Sequence, residues 1–173
     1  MWPRLCIALM ALSTFAGCGL HGNPGNDTQS LTPEQKTAVQ AGVRAFMADV
    51  AREVSAGGPT AWQRFFVDDP SFFMASEGQL FFPNGQPMGQ WIQGITHFIK
   101  TVHLQWGDAL RIDALTPTLA VVGAPYVEIR TDPQGQQMTE RGYFTGVAEY
   151  RNGGWLFRDA HWSVAPAATK TPS

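Results

Sequence analysis

Residues 142–163 run G-Y-F-T-G-V-A-E-Y-R-N-G-G-W-L-F-R-D-A-H-W-S, two strand-like stretches around the turn residues Arg151, Asn152, Gly153 and Gly154. No other part of the chain constrains the fold as tightly. Two apolar strands on a glycine-rich turn form a hairpin whose register is set by the face it buries. Because strand side chains alternate, Trp155, Phe157, Asp159, His161 and Ser163 are expected on one face. That face begins apolar and ends in three polar groups, the gradient of a strand that leaves a core and lines a pocket.

The segments before this hairpin supply its partners. Thr32-Pro33-Glu34-Gln35 carries a capping-box pattern with Pro at the first helical position. Val39, Val43, Phe46, Met47, Val50 and Val54 then recur at helical spacing until Gly57-Gly58-Pro59, which predicts one amphipathic helix. A second capping-box pattern at Thr60 and Gln63 predicts a short helix with Trp62, Phe65 and Phe66. Two short strands are expected around Glu77-Gly78, and a third helix from residue 87 to about 101, striped by Met88, Trp91, Ile92, Ile95, Phe98, Ile99 and Val102. The alternation from Leu104 to Ile112 reads as one strand, and residues 119–130 as a longer one bent near Gly123 and Pro125. Helices followed by antiparallel strands make an α+β class, with helices on one face of a curved sheet.

The first residues belong to a different order. Met1 to Arg4 are a short positive region, residues 5–15 an apolar stretch too short to span a bilayer, and Phe15-Ala16-Gly17-Cys18 resembles the lipobox of bacterial lipoproteins. That resemblance implies cleavage after residue 17, lipidation of Cys18 and, with Gly19 following, sorting to the outer membrane with the domain facing the periplasm. Residues 18–31, rich in Gly and Asn, read as a tether, 32–166 as one domain, and 167–173 as a disordered tail.

Several functions are excluded by composition. Net charge is −2 over 173 residues, so no basic excess argues for nucleic acid as a partner. Cys6 and Cys18 are the only cysteines, so the domain after residue 31 holds no disulfide and no thiol nucleophile. Gly17, Gly19 and Gly22 spell a dinucleotide fingerprint but lead into Asn23-Pro24-Gly25-Asn26 instead of a helix, so no cofactor is expected. No metal is expected either, since the histidines lack a two-His-plus-carboxylate spacing. Ser76 and Ser163 lie outside any serine-hydrolase context.

The element order, with Thr145, Gly153-Gly154-Trp155 and His161-Trp162-Ser163, resembles the NTF2-like superfamily, close to its SnoaL-like and DUF4440 groups. The resemblance spans about residues 34–165 and implies a cone: a strongly bent, mainly antiparallel sheet wrapped around N-terminal helices and enclosing a cavity. Some members are isomerases, dehydratases or cyclases that use a pocket Asp or His. This chain has Tyr143 where many relatives carry Arg, and Asp159 where many carry a second His, which makes an Asp–His pair possible.

Asp159 and His161 are the first catalytic candidates. A carboxylate two residues away, about 6–7 Å along the strand, could orient an imidazole and raise its basicity. The bland alternative pairs Asp159 with Arg141 or Arg158 and leaves His161 at a rim. Tyr143, which the resemblance places inward with Thr145, could donate to an oxyanion, as could Tyr126. Tyr126 shares its face with Glu128 and Arg130, which reads as a solvated or dimer-facing surface. Trp62, Phe65, Phe73, Trp91, Trp106, Thr145, Trp155 and Ser163 are the expected pocket lining. Three functions follow: binding of a small apolar or amphipathic molecule, a dimeric interaction module using Leu156, Trp162 and Val164, and an isomerase-type enzyme using His161 and Asp159.

Overall fold

In the computed structural model, which describes residues 30–70, 72–81 and 88–166, helix α1 (Pro33–Gly57) lies against a seven-stranded mixed sheet. The strands are β1 (Phe73–Ser76), β2 (Gln79–Phe81), β3 (Thr101–Trp106), β4 (Arg111–Thr116), β5 (Leu119–Thr131), β6 (Gln137–Arg151) and β7 (Gly154–Val164). A 3-10 helix (Pro59–Phe65) and a short helix α2 (Met88–Ile95) complete the described elements. The residues read as a signal segment, Cys18, most of the expected tether and the expected tail fall outside the described residues. No described helix is long and apolar enough to cross a membrane.

The sheet order is β2-β1-β7-β6-β5-β3, with β4 paired to the other end of β5. All pairs are antiparallel except β1 with β7. The curved sheet stays unclosed and wraps the helices, and the core fills the space between them. Val39, Val43, Phe46, Met47, Val50 and Val54 are all buried, as their spacing predicted. The capping box is formed: Thr32 Oγ1 accepts from the Gln35 backbone, and Gln35 Oε1 from the Thr32 backbone. The inner faces of β5, β6 and β7 supply Ala120, Val122, Ala124, Phe144, Ala148 and Phe157 to the same core.

Four local expectations need correction. The Thr60 pattern does not cap a helix: Gly58 holds that position at φ 68°, Thr60 Oγ1 donates to the Gly57 carbonyl, and the segment winds as 3-10. Helix α2 ends at Ile95, six residues early. Thr96, His97 and Phe98 form tighter turns, and the Lys100 amide bonds Thr131 at 2.7 Å, which draws the chain into the sheet. The run from Leu104 to Ile112 is two strands. Pro125 has no amide to extend the ladder; its carbonyl takes the Gly107 amide at 2.8 Å, and the chain crosses to pair again as Arg111 with Gly123.

The fourth correction bears on the site. Ala148 pairs with Phe157 and Val147 with Asp159, so Arg158 is the extra residue of a β-bulge. Before the bulge Phe157 points into the core. After it the parity reverses: Ala160 is buried, Trp162 turns inward, and Asp159, His161 and Ser163 take the outer face. The turn at Asn152 and Gly153, both at positive φ, is the two-residue type that suits a twisted hairpin.

Candidate functional site

Between the 3-10 helix, α2 and the inner sheet face lies a cavity of about 420 Å³, within the range that holds a small organic ligand. Its walls are aromatic: Trp62 from the 3-10 helix, Phe66 after it, Phe81 from β2, Trp91 from α2 and Trp162 from β7. Trp62 meets Trp162 edge-on at 5.6 Å between centroids, and Phe81 meets Trp91 at 5.7 Å. Trp162 is the junction of this wall with the core, packing also on Trp106, Tyr126 and Phe144. Phe98, 75% exposed, stands at the mouth.

The cavity has one polar side, built by β5 and β6. Glu128 and Glu140 are directly paired across these strands. Two like charges so placed repel, and a cation between them removes the conflict. Arg130 does this: its Nε donates to Glu128 Oε1 at 2.7 Å, and its Nη2 lies 2.8 Å from Glu140 Oε1. Tyr126, on the same face of β5, donates its hydroxyl to that Glu140 oxygen at 2.7 Å. Gly142 makes room for it. A Cβ there would fall 2.9 Å from the Tyr126 ring and collide with the Ser163 carbonyl oxygen.

Burial shapes the charges of this cluster. Glu128 is only 7% exposed. Desolvation pushes its carboxyl above the usual range, and the attraction of Arg130 only partly offsets that. For Arg130 desolvation acts downward, but the two carboxylates outweigh it and hold the guanidinium charged. Burial, then the bond to Glu140, pushes the Tyr126 hydroxyl up, so Tyr126 is a fixed donor. Among the described residues no group of three His, Cys, Asp or Glu side chains is placed to hold a metal ion.

Solved structures share this architecture across most of their length. A scytalone dehydratase candidate from Novosphingobium aromaticivorans superposes with a TM-score of 0.66 at 13% identity, over 82% of this chain and 94% of its own. LinA, a hexachlorocyclohexane dehydrochlorinase, gives 0.60 at 14% identity over 81% and 97%. An NTF2-like superfamily protein from Salmonella enterica gives 0.55 at 16% identity over 83% and 99%. The chain has the NTF2-like fold. No protein-family profile and no curated protein sequence matches it.

Within this NTF2-like cone the expected site residues divide sharply. Trp62 and Trp91 line the cavity. Phe65 is buried one layer deeper, edge-on to Phe46. Trp106 backs the wall, stacked on Trp162 with its Nε1 donating to the Met47 carbonyl. Trp155 packs at the far end, against Tyr150 and close over Gly42. Phe73 is 46% exposed and shares the outer face with its partner Asp159.

The polar candidates sit outside. Tyr143 and Thr145 face outward because Phe144 between them is buried. The Tyr143 hydroxyl lies across Gly123, and Ser163 Oγ donates to the Tyr143 carbonyl. Asp159 has Arg158 at 3.8 Å, burial pushes its carboxyl up, and no hydrogen bond joins it to His161 among the described residues. None of Asp159, His161 or Tyr143 lines the cavity. Trp162, assigned to an outer dimer patch, is instead an inner wall; of Tyr126, Glu128 and Arg130, read as a solvated or dimer-facing surface, Glu128 and Arg130 form the polar side of the cavity and Tyr126 is buried behind them. Glu140 was missed. Its signal was parity with Phe144, two turns of the alternation further along β6.

Proposed function

We propose that this chain is a small-molecule-binding NTF2-like domain, tethered by a lipid on Cys18 to the bacterial envelope with the domain on the periplasmic side of the outer membrane. The observation that carries the binding reading is the cavity itself: five aromatic rings facing a polar cluster whose members are held by one another. Such a site suits an amphipathic molecule, its apolar body against Trp62, Trp91 and Trp162 and its polar end at Glu128 and Glu140. The anchoring reading rests on the lipobox-like run ending at Cys18 and on the need for more than one acyl chain to hold a protein stably.

Native mass spectrometry of the protein extracted from its own membrane tests both. The expected spectrum shows a mature chain beginning at Cys18 with an acyl modification, and a retained small molecule that a Trp91→Ala variant fails to keep. An unmodified N-terminus would sink the anchoring reading. A chain that carries no molecule and takes up none from a cell-envelope extract would sink the binding reading.

A further inference from the structure

The charges lining the cavity are unequal. Among the described residues, Glu77, Glu128 and Glu140 contribute three carboxyl groups and Arg130 the one guanidinium. Arg130 is already spent, with Nε on Glu128 and Nη2 on Glu140. An anionic ligand reaching for it would have to displace one carboxylate and lie beside the other. The carboxylates are not spent. Every described contact falls on Oε1 of each, so Oε2 of Glu128 and Oε2 of Glu140 have no described hydrogen-bond partner. The remaining walls reinforce this bias, because indole and phenyl faces attract cations and repel anions. A concave site of one sign with low-dielectric walls also concentrates the opposite sign within it.

We propose that the cavity selects an organic cation, an amine or quaternary ammonium group on an apolar body, with the cationic head at Glu128 and Glu140 and the body against Trp62, Trp91 and Trp162. This rests on the reading of the cavity as a ligand site and adds the charge of its occupant.

Titration of purified full-length protein at pH 7, followed by tryptophan fluorescence, tests it with three probes of one shape: 4-phenylbutylamine, 4-phenylbutan-1-ol and 4-phenylbutanoate. The amine is expected to bind roughly tenfold or more tighter than the alcohol, with the carboxylate weakest. Glu140→Gln should weaken the amine several-fold more than the alcohol. Glu77→Gln, on an exposed turn at the mouth, gives a smaller loss in the same direction and does not disturb the buried cluster. Equal affinities, or a tighter carboxylate, overturn the cation inference and leave the ligand site standing. Failure of all three probes to bind overturns the inference together with the binding reading on which it rests.

Discussion

Tyr126 and Arg130, four residues apart on β5, converge on a single oxygen of Glu140, at 2.7 and 2.8 Å. The two donors hold that carboxylate in one orientation and let it lie opposite Glu128. Tyr126→Phe removes one donor and changes little else, since the ring stays packed on Trp162. A hydrogen bond to a charged group contributes about 1.5–3 kcal/mol. Chemical denaturation should report a loss of that size; an unchanged midpoint would mean that Arg130 alone fixes Glu140.

Glu128 makes stability depend on pH in a defined direction. Its folded carboxyl titrates above its unfolded value, chiefly because it is buried, with Glu140 adding to the rise and Arg130 opposing it. A raised acid favours folding while protonated. Its contribution is therefore complete below the unfolded value and is lost as pH rises through the folded one. The melting temperature of the wild type relative to Glu128→Gln should fall over the interval that begins at about pH 4.5 and extends upward. A difference that is flat or rises over that interval would contradict the buried placement of this carboxyl.

Trp162 joins the cavity wall to the core through four aromatic neighbours. Trp162→Ala should cost about 3–5 kcal/mol, in the range for large aromatic deletions, and Trp162→Phe clearly less. Urea denaturation of the two variants decides this. A loss below about 1 kcal/mol for the alanine variant would mean the residue is not the junction described.

Gly142 is fixed by close approach. Alanine there meets the Ser163 carbonyl oxygen and the Tyr126 ring, and backbone cannot yield as a flexible side chain does. A loss of about 1–3 kcal/mol is expected by the same denaturation measurement, as for other overpacked sites.

His161→Ala should do almost nothing. The side chain is exposed on the outer face, where substitutions usually change stability by about 0.5 kcal/mol or less. Affinity for 4-phenylbutylamine should be unchanged, and a loss of binding with the fold intact would return His161 to the site.

The helical part of the fold was legible because periodicity is a local property. Six core positions of α1 and its capping box follow from spacing and residue type alone. The 3-10 segment and the early end of α2 were not, because each is decided by a distant partner: Lys100 stops being helical when its amide finds Thr131. The site was half legible. Trp62 and Trp91 were found as large aromatics, and the shared face of Tyr126, Glu128 and Arg130 was seen but turned the wrong way. Face assignment on β6 and β7 hinged on one unpaired residue, Arg158, and a bulge has no composition that distinguishes it from regular strand. Once parity is reversed there, every polar candidate downstream moves outside together.

That bulge has a consequence for how such a protein can change. The last strand carries two alternative linings in one sequence, Ala160 with Trp162 and Asp159 with His161, and a single inserted residue decides which of them the interior meets. Were Arg158 drawn into the ladder opposite Val147, Asp159 would pair with Gly146 and His161 with Phe144, and an acid and an imidazole would replace the aromatic wall with no side chain altered. Which chemistry the interior meets is thus decided by whether one residue stands inside or outside the ladder.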